Sequence, residues 1–213
     1  MTEKISLKAA ERKAFTAAFE DGLWDVFLGC FMLMFVIAPF LSASMGDFLS
    51  SAVFLPFLGI LWLVIVLIRK WVIRPRVGTM KFGVSRKTRM MKFTVIMLIF
   101  NVLALIGGAI AAVTTDVVAG RVHVVIFSGL CLAGFSIAGY FLGFRRLYLY
   151  GLLVGGSPLV GEYLWAYHGF SHHGFPVTFG VCSAIMIITG LVLFVRLLRN
   201  NPLPAEGLPS EGM

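Results

Sequence analysis

Residues 48–70 read FLSSAVFLPFLGILWLVIVLIRK. From Phe48 to Ile68 no side chain is charged, and about 20 apolar residues carry a helix across a hydrocarbon core of ~30 Å. Irregular backbone cannot face lipid, so the stretch reads as a transmembrane helix packed against others of its kind. Runs of the same character recur at 23–45, 93–115, 122–144, 147–167 and 177–198. The expected fold is all-α integral membrane, a six-transmembrane-helix bundle spanning 23–198. Composition agrees: 59% of residues are hydrophobic, 13% are charged and the mean hydropathy is +0.95. A soluble domain carries about 25% charged residues.

The residues just beyond this run are as informative as the run itself. RKWVIRPRVGTMKFGVSRKTRMMK, 69–92, holds nine cations and no acid. With a cytoplasmic N-terminus, the inside segments are 1–22, 69–92, 143–146 and 196–213, and they contain every Lys and Arg except Arg121. This is the positive-inside bias, which predicts both ends in the cytoplasm and a plasma-membrane protein. The net charge of +8 is thus topological. It suits a lipid bilayer with anionic headgroups rather than nucleic acid. "SAS" at 42–44 resembles a signal cleavage site, but Asp21 and Asp25 stand where a basic region belongs. Cys30, Cys131 and Cys182 each fall within a span and read as packing residues.

Residues 1–22 read as a cytoplasmic or interfacial helix whose apolar face Arg12 interrupts. The tail 199–213, with three prolines, reads as disordered. Pro75 and Gly78 are expected to end the second helix, and Ser85 to cap the third. No internal repeat is apparent. The segments DGLWDVFLG at 21–29 and RPRVG at 74–78 resemble families of uncharacterised small prokaryotic polytopic membrane proteins; that resemblance implies no activity.

Chemistry concentrates in three places. GLLVGGSPLVGEYLW, 151–165, puts Gly151, Gly155, Pro158 and Glu162 on one helix face, with Pro158 opening the backbone. Counted from Leu147, Glu162 lies about 22 Å up the helix, nearer the outer surface than the midplane. An ionisable group within a span marks a functional site by default. A polar path would use Glu162, Pro158 and Gly155 with Asn101 and Asp116 as helpers. The competing reading is a headgroup-level Glu beside Tyr163, Trp165 and Tyr167.

The second place is YHGFSHHGFP, 167–176. His168, His172 and His173 resemble the histidine boxes of membrane di-iron desaturases, but the chain has only 4 His, too few for such a site. With His123 they offer a zinc reading, against the plainer reading of a polar connector; otherwise no cofactor is expected. The third is the basic loop, where Arg74, Arg76, Lys81, Arg86, Lys87 and Arg89 offer contacts to lipid or a partner. Asp21 reads as a helix cap, and Asp25 as an ion-pair partner for Arg145, Arg146 or Arg196. Rows of small residues, Asn101–Ala104–Gly108–Ala111–Thr115 and Gly129–Ala133–Ser136–Gly143, read as helix-packing faces, with Asn101 the exception that must find a partner.

There is no nucleophile–base pair, phosphate loop, dinucleotide fingerprint or Cys-x-x-Cys, so an enzyme lacks its parts. Two functions lead, with a membrane metalloenzyme using the histidine loop well behind them. One is a small transporter or channel-like protein for a cation, proton or small solute. The other is a non-catalytic membrane subunit or sensor that docks a cytoplasmic partner or anionic lipid through 69–92. A homo-oligomer or a membrane complex fits either.

Overall fold

The structure, a computed structural model, describes residues 20–77, 84–114 and 120–202. Most of the expected N-terminal helix, the tail beyond Pro202, Lys81 and Asp116 lie outside the described residues, as do the side chains of Arg86 and Lys87. Among the described residues the chain is all-helical, with no strand. The long helices are α1 (Leu23–Met45), α2 (Asp47–Ile68), α3 (Val84–Thr114), α4 (Gly120–Leu142), α5 (Arg146–His168) and α6 (Phe175–Asn200).

Five stretches are long and apolar enough to cross a membrane: Leu23–Met45, Ala52–Arg76, Thr88–Gly107, Val122–Leu142 and Ser171–Asn200. α5 has 23 residues, but its Tyr, Gly, Ser157, Pro158 and Glu162 keep it out of that set. Its surroundings supply the reason. Leu147, Tyr150, Val154, Ser157 and Pro158 are all buried, so protein rather than lipid covers much of its surface. A helix in the middle of a membrane protein is free to carry small and polar residues that a lipid-facing helix is not.

Packing reflects that central place. α5 lies between α4 and α6, α6 packs against α1, and α2 and α3 flank α1 and α4 respectively. Met32, Phe144, Leu147, Tyr150, Val154, Phe179 and Met186 form the core. Small residues set the spacing. At Gly190 an added Cβ would lie 2.6 Å from the Gly22 carbonyl oxygen and 2.7 Å from the Val26 nitrogen. Gly22 itself enters α1 at φ 76, a left-handed conformation that glycine adopts without penalty. The Ser183 hydroxyl donates to the Gly29 carbonyl at 2.8 Å, tying α6 to α1.

Two features depart from the sequence expectation. The second helix does not stop before Pro75: a π turn, Arg69–Ile73, leads into a further helical turn, Arg74–Val77. In the π turn the Arg74 N–H reaches the Arg69 carbonyl. The widened turn relieves the crowding that a proline ring causes inside a regular helix. α3 begins at Val84, so Ser85 lies within its first turn rather than capping it.

Candidate functional site

The ends of the helices divide the polar residues into two groups. At the basic end, Asp21, just before α1, and Asp25, in its first turn, each meet an arginine, one from the π turn that follows α2 and one from α5. Asp21 accepts the Leu23 N–H at 3.0 Å through Oδ1. Its Oδ2 accepts from Arg69 Nε at 2.9 Å and Nη2 at 2.6 Å. The Arg69 guanidinium also lies 5.3 Å over the Trp24 ring. Burial pushes the Asp21 carboxyl above the ordinary carboxylate value, and the Arg69 charge pulls it back.

Asp25, one turn deeper, is 0% exposed. Arg146 meets it side-on, Nε to Oδ1 at 3.1 Å and Nη2 to Oδ2 at 2.9 Å. The Tyr150 hydroxyl donates to Oδ1 at 2.5 Å. Arg146 in turn stacks 4.8 Å over Phe144. A carboxylate out of water needs charge-assisted bonds to both oxygens, and here α5 supplies all three donors. Of the three arginines expected near Asp25, the structure selects Arg146. The Tyr150 contact and the Asp21–Arg69 pair are not evident from the sequence.

At the opposite end, Glu162 Oε2 lies 3.0 Å from His173 Nδ1. The side chains are 18% and 51% exposed. The His173 ring sits 4.4 Å from Trp165 and 5.8 Å from Phe175. His172 contacts Phe40 at 5.9 Å, and His168 contacts Tyr163 at 5.8 Å. The loop is no loose connector. His172 and His173 both take left-handed φ values of 51 and 53, followed by Gly174 at 63. The chain is pressed so closely on α5 that a Cβ at Gly174 would stand 2.7 Å from the Gly161 carbonyl oxygen. Left-handed non-glycine residues store strain, which the neighbouring contacts hold in place.

Of the residues expected to form a polar path, Asp116 lies outside the described residues and the others sit on two helices. Glu162, Pro158 and Gly155 share α5, while Asn101 on α3 is exposed and donates to the Met97 carbonyl of its own helix at 2.7 Å. Toward the basic end from Glu162, α5 is close-packed: Pro158 and Val154 are buried, Met186 is 0% exposed, and Ser157 Oγ meets Cys182 Sγ at 2.9 Å. Among the described residues no three His, Cys, Asp or Glu side chains gather as metal ligands. His173 is engaged by Glu162, and His123 on α4 lines a different cleft.

Glu162→Gln is therefore expected to move thermal stability little, since a partly exposed ion pair contributes about 0–1 kcal/mol. A melting curve of the purified variant checks this.

In the basic loop, Arg89 donates from Nη2 to the Tyr140 carbonyl at 2.7 Å and lies 5.8 Å over the Tyr140 ring. Arg74 is exposed and Arg76 half-buried. Among the described residues no acid lies within ion-pair reach of Arg74, Arg76 or Arg89. No protein-family model, curated protein or solved structure matches the chain.

Proposed function

We propose that the chain is a six-span protein of the plasma membrane, with both ends cytoplasmic, acting as a non-catalytic membrane subunit that binds anionic lipid headgroups at its basic end. Support for α5 as the sixth span is its length and its place between α4 and α6. Support for the orientation is the charge bias of the loops. The observation that carries the binding reading is the division of charge at that end. Asp21 and Asp25 are answered by Arg69 and Arg146, while Arg74, Arg76 and Arg89 have no acid in reach among the described residues. Each cation near an anionic membrane surface contributes about 1 kcal/mol of attraction.

Transport of a cation, proton or small solute draws on Glu162 alone. The close packing of α5 below it favours the binding reading.

The test uses the full chain in nanodiscs of phosphatidylcholine, with and without phosphatidylglycerol. Ligand binding to the folded state raises stability by about 2.7 kcal/mol at 100 times Kd. The wild type is expected to melt higher with phosphatidylglycerol, and Arg74→Gln/Arg76→Gln/Arg89→Gln to lose that difference. Equal melting in the two lipids overturns the reading. So does a proton or cation flux in liposomes that Glu162→Gln abolishes.

A further inference from the structure

A cleft of about 910 Å³ opens between α1, α3 and α4, with the start of α5 at its basic end. Trp24 and Phe31 of α1, Phe93 and Phe100 of α3, Phe135 of α4 and Leu147 of α5 line it. It exists because α3 makes its main contacts with α4 and leaves α1 uncovered on that side. The α3 wall is a stripe, Met90–Phe93–Met97–Phe100–Ala104, spaced at helical period. Over fourteen residues it extends about 21 Å. One leaflet of a ~30 Å core is about 15 Å deep, so the cleft reaches from headgroup level past the midplane.

The mouth of the cleft distinguishes it from an ordinary gap between helices. At the basic end, Arg89 adjoins Met90 of the stripe. Two lining rings, Trp24 and Phe144, carry guanidiniums on their faces, those of Arg69 and Arg146. Asp21 and Asp25 already answer those two arginines, so Arg89, with no acid in reach among the described residues, is the cation offered there. An apolar slot with a cation at one end is complementary to an amphiphile with an anionic head and a long hydrocarbon tail. A second copy of this chain fits poorly. It would bring a like-charged basic end to the same level, since the chain carries +8.

We infer that the cleft seats one acyl chain of an anionic phospholipid whose phosphate lies against Arg89. This rests on the headgroup binding proposed for the basic end and adds to it the path of the tail.

The experiment uses the full chain with Trp62→Phe, Trp71→Phe and Trp165→Phe, leaving Trp24 in the cleft wall as the sole tryptophan. The protein is reconstituted in nanodiscs containing phosphatidylglycerol or phosphatidylcholine brominated on the acyl chain, and quenching of Trp24 is followed against mole fraction. Brominated phosphatidylglycerol is expected to quench at about fivefold lower mole fraction, the preference that one cation at the headgroup supplies. Arg89→Gln is expected to remove that preference. Ala104→Leu or Ala138→Phe, which narrow the slot at opposite ends, are expected to remove it while the melting difference between the two lipids persists.

Equal quenching by both lipids overturns the inference, and the headgroup reading survives if the melting difference remains. Loss of both signals overturns the two together. Displacement of the quencher by a far smaller amount of polyprenyl phosphate, or protection of Trp24 by a cross-linkable dimer, also overturns it and identifies the true occupant.

Discussion

Arg146→Met is expected to lower the unfolding free energy by about 3–5 kcal/mol, the cost of breaking a buried ion pair from one side. The direction of the cut matters. Removing Arg146 strands Asp25, which is 0% exposed, with only the Tyr150 hydroxyl of its three donors left. Removing Asp25 strands an arginine whose side chain is 25% exposed and whose long stem lets the head turn toward headgroups. Asp25→Asn should therefore cost clearly less than Arg146→Met. The double variant should cost less than the sum, because neither charge is then left alone. Thermal unfolding of the four proteins in one detergent checks the order. If Asp25→Asn proves as costly as Arg146→Met, the carboxylate is not buried away from water.

The second large effect concerns spacing rather than charge. Gly190→Ala is expected to cost about 1–3 kcal/mol, as overpacking does elsewhere, and Gly190→Leu to leave α1 unable to dock. Its Cβ would meet the Gly22 carbonyl and both the nitrogen and a methyl of Val26. The obstacle is partly backbone, which cannot rotate aside as a side chain would. Gly156→Ala is the control, with open space around its Cβ; it should be neutral or stabilising by about 0.5–1 kcal/mol through its helical backbone. Melting temperatures, together with cysteine cross-linking between α1 and α6, report the outcome. A harmless Gly190→Leu would mean that these helices do not pack closely.

The helices are legible in the sequence because a bilayer constrains length and polarity so strongly: an uncharged run flanked by arginines leaves few alternatives. That Asp25 pairs with an arginine is legible as well, since charges at one depth in a low-dielectric layer must find each other, but which of Arg145, Arg146 and Arg196 it takes is not. Tyr150 is not, because a tyrosine near a helix end reads equally well as part of an aromatic belt. Arg69 is hidden by the charge bias itself, which explains a loop arginine without giving it a partner. The Glu162–His173 contact depends on two consecutive left-handed histidines, a conformation that no residue pattern in YHGFSHHGFP announces.

The cleft is invisible in the sequence for a different reason: it is set by which helices fail to touch. Ala104 reads as part of a packing row and instead lines an opening, beside Asn101. Gly129 likewise reads as part of a packing row, yet a Cβ there would meet nothing within 4 Å. At Gly134 of α4, by contrast, an added Cβ would lie 3.2 Å from the Phe100 ring of α3.

The pairing of α1 with α6 bears on how the chain is made. Ser183 and Gly29 are 154 residues apart, and ribosomes add about 5–20 residues per second. Roughly 8–30 s therefore separate the emergence of α1 from that of the helix that covers it. Arg146 comes 121 residues after Asp25, so for most of that interval the acid lacks the cation it bonds in the folded chain. A carboxyl within a span is costly while unpaired. The insertion machinery must shelter α1, or hold it near the interface, until α5 arrives. Ribosomes stalled before and after residue 146 should differ in how readily α1 is extracted from the membrane by alkali.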